Sequence, residues 1–234
     1  MNKQLSVVIA AYNEEPRIAE VLKIVEHHPL IGEVIVVNDG SKDNTSKVIK
    51  KYKVTLIENE KNMGKTLSVL RGIEASKNDL IMLLDADLIG LDADAITKLA
   101  KPVLDGKVDW SLSIRNNSTW FMKLLKMDWI SGERVVPKEL LLDKLIWSRP
   151  DIGYGLETLM NKSLLSKDKT FCSVYLPDLT ITTKAEKIGI MKGMAGEFKM
   201  IGQLNRVLPL IKVFGQFFKM SYLNNKFSKR KANL

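Results

Sequence analysis

Leu80-Ile81-Met82-Leu83-Leu84-Asp85-Ala86-Asp87 is the stretch on which the fold turns. An uninterrupted apolar run ends abruptly in two carboxylates set two residues apart. A run this short and this apolar reads as a strand buried on both faces, as happens where helices cover both sides of a parallel sheet. Its polar ending marks the carboxyl end of the strand, and in open α/β sheets ligands bind beyond that end.

The same pattern recurs on either side. Leu5–Ala11, Glu33–Asn38, Val54–Glu58 and Val108–Ile114 are further short runs rich in Val, Ile and Leu. Helical periodicity fills the gaps, over Pro16–His27, Asn44–Tyr52, Lys65–Ser76 and Asp92–Leu104. The first of these opens on a proline and carries Ile18, Val21, Leu22 and Val25 on one face. Strands alternating with helices predict a Rossmann-related α/β fold, a mostly parallel sheet flanked by helices. Strand one leads into Tyr12-Asn13-Glu14-Glu15, strand two into Asn38-Asp39-Gly40-Ser41-Lys42-Asp43, and strand three into Asn62-Met63-Gly64-Lys65. With Asp85-Ala86-Asp87, four polar clusters are delivered to one rim by topology alone.

Beyond residue 116 the pattern changes. Trp120, Phe121, Leu124, Leu125, Met127, Trp129 and Ile130 predict a long apolar helix, interrupted by Ser131-Gly132-Glu133-Arg134 and followed by a second helix over Leu140–Trp147. A Gly153-Tyr154-Gly155 turn, a helix from Leu156 to about Leu165 and a strand near Phe171–Leu176 come next. Without repeats, low-complexity tracts or a linker, residues 1–190 read as one domain, with a nucleotide half (1–115) and an acceptor half (116–190). Residues 191–234 read as a helical, basic, amphipathic extension.

Composition narrows the function classes. Of 234 residues, 45% are apolar and 27% charged, ordinary for a soluble globular protein. The single cysteine, Cys172, sits in an apolar run; it permits neither an intramolecular disulfide nor a cysteine metal site, and suits a reducing compartment. Lys3 followed by Leu5–Ala11 resembles a signal peptide, but a buried strand explains it better. No apolar run approaches the ~20 residues that span a bilayer. The expectation is a cytoplasmic protein, or one peripheral on the inner face of the membrane. Residues 1–183 hold 25 Lys/Arg and 25 Asp/Glu, whereas residues 184–234 hold 11 Lys/Arg against only Glu186 and Glu197. A neutral body with a basic tail excludes a uniformly basic nucleic-acid binder.

Asp85 and Asp87 leave a buried strand together, so the pair can share a hard cation that also takes diphosphate oxygens. The bland reading is two solvated loop aspartates; the apolar strand before them and the three aligned clusters favour a site. Asp39 ends an equally buried strand and suits accepting hydrogen bonds from a base or ribose, and Glu14 can do similar work. Asp43 and Asn44 read as helix caps. Met63-Gly64-Lys65-Thr66 is not a phosphate loop, because Asn59 stands where the first glycine is required. Lys65 instead reads as a point charge at a helix start. No G-x-G-x-x-G follows strand one, which argues against a nicotinamide dehydrogenase. His27 and His28 read as charges favouring the end of the first helix, and no histidine lies beyond them to act in catalysis.

Val7-Val8-Ile9-Ala10-Ala11-Tyr12-Asn13-Glu14-Glu15, Val36-Val37-Asn38-Asp39-Gly40-Ser41, Asn62-Met63-Gly64-Lys65 and Leu84-Asp85-Ala86-Asp87 together resemble the successive signatures of family 2, GT-A-fold inverting glycosyltransferases. The match covers roughly residues 4–115, and Ser131-Gly132-Glu133-Arg134 and Gly153-Tyr154-Gly155-Leu156-Glu157 extend it into the acceptor half. The resemblance implies transfer of a sugar, with inversion, from a UDP- or GDP-sugar to an acceptor that the sequence does not identify. A polyprenyl phosphate and a small hydroxyl compound both fit. It places Asp39 at the nucleobase, Asp85 near the ribose, Asp87 on Mg²⁺ or Mn²⁺ and Lys65 close to the nucleotide. On this reading the donor contacts are Ala11, Tyr12, Glu14, Asp39, Lys65, Asp85 and Ala86, and the metal ligands Asp85 and Asp87. Glu157 matches that family's acidic acceptor-side motif and is the expected base, with Asp151 the alternative; Glu157 also reads simply as a helix-start residue. Some members add a histidine ligand in the C-terminal half, which this chain lacks. A sugar-phosphate nucleotidyltransferase and a non-catalytic nucleotide-sugar-binding protein are the rival readings. Residues 197–231 either lie on an anionic membrane surface or cover the catalytic domain.

Overall fold

In the computed structural model, residues 4–118, 120–143, 155–181, 212 and 215–224 are described. The first half follows the predicted alternation: β1 (Leu5–Ala11), α1 (Ile18–Val25), β2 (Ile31–Asn38), α2 (Thr45–Ile49), β3 (Thr55–Glu58), α3 (Lys65–Ala75), β4 (Leu80–Asp85), a short β5 (Leu88–Ile89), α4 (Ala93–Leu104) and β6 (Trp110–Arg115). The second half supplies α5 (Trp120–Leu124), β7 (Arg134–Pro137), α6 (Lys138–Leu141), α7 (Leu156–Ser166), β8 (Phe171–Leu176) and β9 (Thr180–Ile181). Residues 215–224 form a further helix.

Seven strands make one sheet in the order β3-β2-β1-β4-β7-β6-β8, and β5 pairs with β9 in a small second sheet. The strands bury side chains alternately on both faces. Leu5, Val7, Ile9 and Ala11 of β1 join the core under α1 and α4. Val8 and Ala10 belong to the opposite core, to which α3, α7 and the helix of residues 215–224 also contribute. Each Val, Leu or Ile fully buried in this way contributes about 1.5–3 kcal/mol, so the sheet anchors both layers. Gly72 of α3 lies against Val8, where an added Cβ would stand 2.4 Å from Val8 Cγ1. The glycine sets how closely the helix seats on the sheet.

One strand runs against the rest. β7 is antiparallel to both β4 and β6, whereas β1–β2, β1–β4, β2–β3 and β6–β8 are parallel. Because it is reversed, β7 begins at the rim where its neighbours end. Arg134 pairs with Leu83 of β4 and Leu112 of β6, which puts Gly132 and Glu133 beside Asp85.

The predicted long helix from Trp120 to Ile130 stops at Leu124, and Lys126 adopts a left-handed φ of 50° that no helix continues through. The second helix, predicted over Leu140–Trp147, is the short α6 as far as it lies within the described residues. β7 begins in the Ser131–Arg134 interruption and fills the gap before the predicted second helix, where no strand was expected. His28 does not serve as a terminal helix charge: it is buried, its Nδ1 accepts the Leu30 N–H at 3.2 Å, and its Nε2 lies 3.0 Å from the Ala93 carbonyl. The first of those bonds puts the ring proton on Nε2, so the imidazole ties the turn before β2 to α4.

Gly72→Ala should lower stability by about 1–3 kcal/mol, the usual cost of overpacking a closed core. Urea unfolding monitored by far-ultraviolet circular dichroism measures it directly.

Candidate active site

The carboxyl ends of β2, β1 and β4 lie side by side. Asn38 pairs with Ala11 and Asp85 with Ala10. Asp39 and Asp85 therefore flank β1, roughly two strand spacings, ~10 Å, apart. That is the span from a nucleobase to its phosphates, not of one ligated ion.

At the β4 end, the ammonium of Lys65, the first residue of α3, is shared between two carboxylates. Its Nζ lies 2.8 Å from Asp85 Oδ1 and 3.0 Å from Glu157 Oε1. α3, β4 and α7 are thus tied at one point. Burial works against the charged lysine, but Asp85 and Glu157 outweigh it and hold the ammonium well above the ordinary lysine range. Gly132 closes the other side of Asp85: a Cβ there would stand 2.8 Å from each carboxylate oxygen. The crevice enclosed by Lys65, Asp85, Gly132 and Glu157 measures only about 10 Å³, no more than one water needs.

Behind Asp85 is a buried ionic layer. Arg115, at the end of β6, lies 3.9 Å from Asp85, 3.5 Å from Asp128 and 3.4 Å from Glu133. Burial opposes its charge, and Glu133, Asp128 and Asp85, in that order, more than compensate and raise its pKa. Glu133 also accepts the Ser113 hydroxyl at 2.6 Å and the Ser131 hydroxyl at 2.8 Å. Arg134, fully buried, donates to the Ser131 carbonyl and to Asn161 Oδ1; burial lowers its pKa, with Glu157 and Glu133 acting the other way.

At the β2 end, Asp39 is occupied. Oδ1 accepts from Asn59 Nδ2 at 2.7 Å and from the Met63 N–H at 2.8 Å, and Oδ2 accepts the Gly64 N–H at 2.9 Å. The buried carboxylate thereby holds the loop that delivers Lys65. Gly64 takes a left-handed φ of 93° to present its amide. Beside this loop a cavity of about 610 Å³ opens among Tyr12, Gly40, Ser41, Lys42, Glu60 and Asn62. Gly40 is required there, because a Cβ would come within 2.5 Å of the Lys61 carbonyl carbon.

Of the remaining predicted contacts, Tyr12 is exposed and lines the cavity. The side chains of Ala11 and Ala86 are buried in the core, so only their backbones can meet a ligand. Glu14 pairs with Arg17 at 3.0 Å. Asp43, not Asn44, caps α2 by accepting the Thr45 N–H at 3.0 Å. Asp87 follows β4 on the same turn, half-buried. Asp151 lies outside the described residues.

Among the described residues, no three carboxylate, imidazole or thiolate groups converge on a point that could hold a metal. Asp85 and Asp87 still fit a hard divalent ion of the kind held by one or two carboxylates and completed by substrate phosphates and water. Arg115 and Asp128 were not singled out from sequence; Glu133 was quoted only within Ser131-Gly132-Glu133-Arg134 and Asn59 only against a phosphate loop, neither with a role in the site. A signal existed for the first: Ser111, Ser113 and Arg115 alternate as polar residues in a strand whose context is apolar.

A mostly parallel α/β sheet of this order, with a cavity and an acidic pair at one rim, is a GT-A-type fold. The chain belongs to glycosyl transferase family 2, whose family model matches residues 6–165. Dolichyl-phosphate beta-glucosyltransferase of Homo sapiens is 44% identical over 101 residues, covering 36% of this chain and 31% of that protein. The 4,4'-diaponeurosporenoate glycosyltransferase of Staphylococcus aureus is 33% identical over 103 residues, covering 42% of this chain and 28% of that protein. An uncharacterized protein of Methanocaldococcus jannaschii is 38% identical over 118 residues, 46% of this chain and 50% of its own length. The chain thus spans half or less of the curated relatives it matches. Glucosyl-3-phosphoglycerate synthase of Mycobacterium tuberculosis, solved with Mn²⁺, UDP and glucosyl-3-phosphoglycerate, superposes with a TM-score of 0.66 at 22% identity over 88% of this chain and 80% of that one. That likeness establishes the fold.

Two outcomes test the geometry. Gly132→Ala should destabilise the protein by about 1–3 kcal/mol, and most of that loss should vanish in an Asp85→Ala background, where the clash has no partner. Glu133→Ala should cost about 3–5 kcal/mol by leaving Arg115 and its neighbours unbalanced in a buried site. Denaturant titrations of the single and double variants measure both.

Proposed function

We propose that this domain transfers a sugar, with inversion, from a UDP- or GDP-sugar to a lipid-borne phosphate. The observation that carries the reading is the Lys65 ammonium held between Asp85 and Glu157 at one end of a rim, with a nucleotide-sized cavity at the other. The base and ribose would occupy the cavity beside Tyr12 and Gly40, leaving the diphosphate to run toward Lys65, Asp85 and Asp87. Mg²⁺ or Mn²⁺, when bound through Asp87 and Asp85, supplies neutralisation of the charge gathering on the departing diphosphate. Lys65 adds a fixed positive charge from the protein side, and Arg115 keeps Asp85 in place from behind.

In the reaction an acceptor oxygen forms the new bond to the anomeric carbon. The old carbon–oxygen bond breaks, its electron pair leaving on the nucleoside diphosphate. The sugar passes through an oxocarbenium-like state. A hydroxyl acceptor would need a base, for which Glu157 is the candidate, and to take a proton Glu157 would have to give up its ion pair with Lys65. A phosphate acceptor carries its own negative charge and asks for no base, so Glu157 can remain a positioning partner of Lys65. The similarity to the human dolichyl-phosphate beta-glucosyltransferase and the staphylococcal 4,4'-diaponeurosporenoate glycosyltransferase supports an acceptor with a long apolar chain.

Incubation of the protein and Mn²⁺ with UDP-glucose or GDP-mannose and a polyprenyl phosphate should yield nucleoside diphosphate and a lipid-linked sugar in equal amounts. Pyrophosphate as the product would mean nucleotidyl transfer and overturn the reading. Asp87→Ala should lower turnover by about 100-fold or more, the scale of losing a group that stabilises transition-state charge. Glu157→Gln should cost only about tenfold, against the 10²–10⁴ expected on removing a general base.

A further inference from the structure

The helix of residues 215–224 has two unlike faces. Phe217, Met220, Ser221 and Asn224 face the domain. Phe217 packs edge-on to Trp129 with ring centroids 6.5 Å apart. The Ser221 hydroxyl donates to the Leu125 carbonyl at 3.3 Å. Asn224 donates to the Lys126 carbonyl at 2.8 Å and accepts the Ser173 N–H at 2.9 Å. For residues 217–224, the reading in which the tail covers the domain therefore holds.

The opposite face carries Phe218, Lys219 and Tyr222, spaced as neighbours on one side of a helix. Phe218 is 62% and Tyr222 67% exposed. Next to the bonded pair Leu125 and Ser221 lies Leu124, 71% exposed, with the exposed Lys126 close by. A helix already packed on its domain has no need of outward-facing aromatic rings. In sequence the segment carries charge of one sign: residues 198–234 contain eight Lys/Arg and no Asp/Glu.

From this we infer that Leu124, Phe218 and Tyr222, with the exposed Lys126 and Lys219 on the same two segments, form a docking surface for an anionic bilayer. Aromatic rings with a polar or apolar edge settle at the headgroup level, and lysines around them draw the surface toward acidic lipids. An acidic protein partner would match the charge equally well, but the protruding rings lie on a convex helix face rather than in a groove that a peptide would fill. The surface is joined to the active rim through the segment from Leu124 to Asp128, whose last residue pairs with Arg115 beside Asp85. This inference rests on the lipid-acceptor reading for its purpose, but not for its test, which contains no substrate.

The test is co-sedimentation of the full chain with phosphatidylglycerol-containing vesicles and with pure phosphatidylcholine vesicles. Binding should be at least about tenfold stronger to the anionic vesicles and should weaken as salt rises. The double variant Phe218→Ser/Tyr222→Ser, changed only at outward positions, should lose about tenfold in anionic-vesicle binding while unfolding at the same denaturant concentration as the parent. Lys219→Glu should weaken binding in the same direction. Equal sedimentation with both vesicle types, or undiminished binding by the double variant, would overturn the inference. So would a dimer in solution that the same substitutions dissociate, since the rings would then be covered by a second copy. Nucleoside diphosphate release measured without vesicles reports on the catalytic reading separately.

Discussion

The Lys65 ammonium is the point on which the site depends. It is the first residue of α3, delivered by a loop that Asp39 clamps through the Met63 and Gly64 amides. It ends between Asp85 of β4 and Glu157 of α7. Two carboxylates drawn toward one crevice would repel each other, and a single cation between them turns that repulsion into a tie linking three elements. The same constraint explains Gly132, since no side chain fits between the start of β7 and the Asp85 carboxylate. It also explains why β7 runs antiparallel: only a reversed strand begins, rather than ends, at this rim.

Behind the tie, Arg115 is balanced by Glu133, Asp128 and Asp85 in a nearly dry layer. Such layers are weak sources of net stability, because desolvation offsets much of the attraction. They are strict about geometry, because removing one partner strands the others. The layer is therefore best understood as fixing where Asp85 points, with the apolar cores on either side of the sheet carrying the stability.

The parallel half of the fold was legible because physics writes it twice. β1 from Val7 onward and β4 up to Asp85 are apolar runs, buried on both faces, and each stops at a polar cluster; their predicted bounds match the observed ones. β7 was not legible. Four residues beginning with an arginine and ending in a proline carry no strand-like period, and Arg134 is buried only because Ser131 and Asn161 satisfy it. α5 ends early for a local reason, the left-handed backbone at Lys126. Asp85, Lys65 and Glu157 were each singled out, but their meeting at one point was not, since Lys65 and Glu157 are 92 residues apart. For Asp39, the resemblance points to the nucleobase and is silent on the bonds the carboxylate makes to its own loop, which a motif does not show.

The central claim is that Asp85 and Asp87 hold a divalent ion only together with a nucleotide's diphosphate. Mn²⁺ electron paramagnetic resonance, titrated with and without UDP or GDP, tests this most directly. The account predicts weak Mn²⁺ binding by the protein alone, marked tightening when the matching diphosphate is added, and loss of that tightening in Asp87→Ala. Mn²⁺ binding that is equally tight without nucleotide, or that survives replacement of both aspartates, would contradict it.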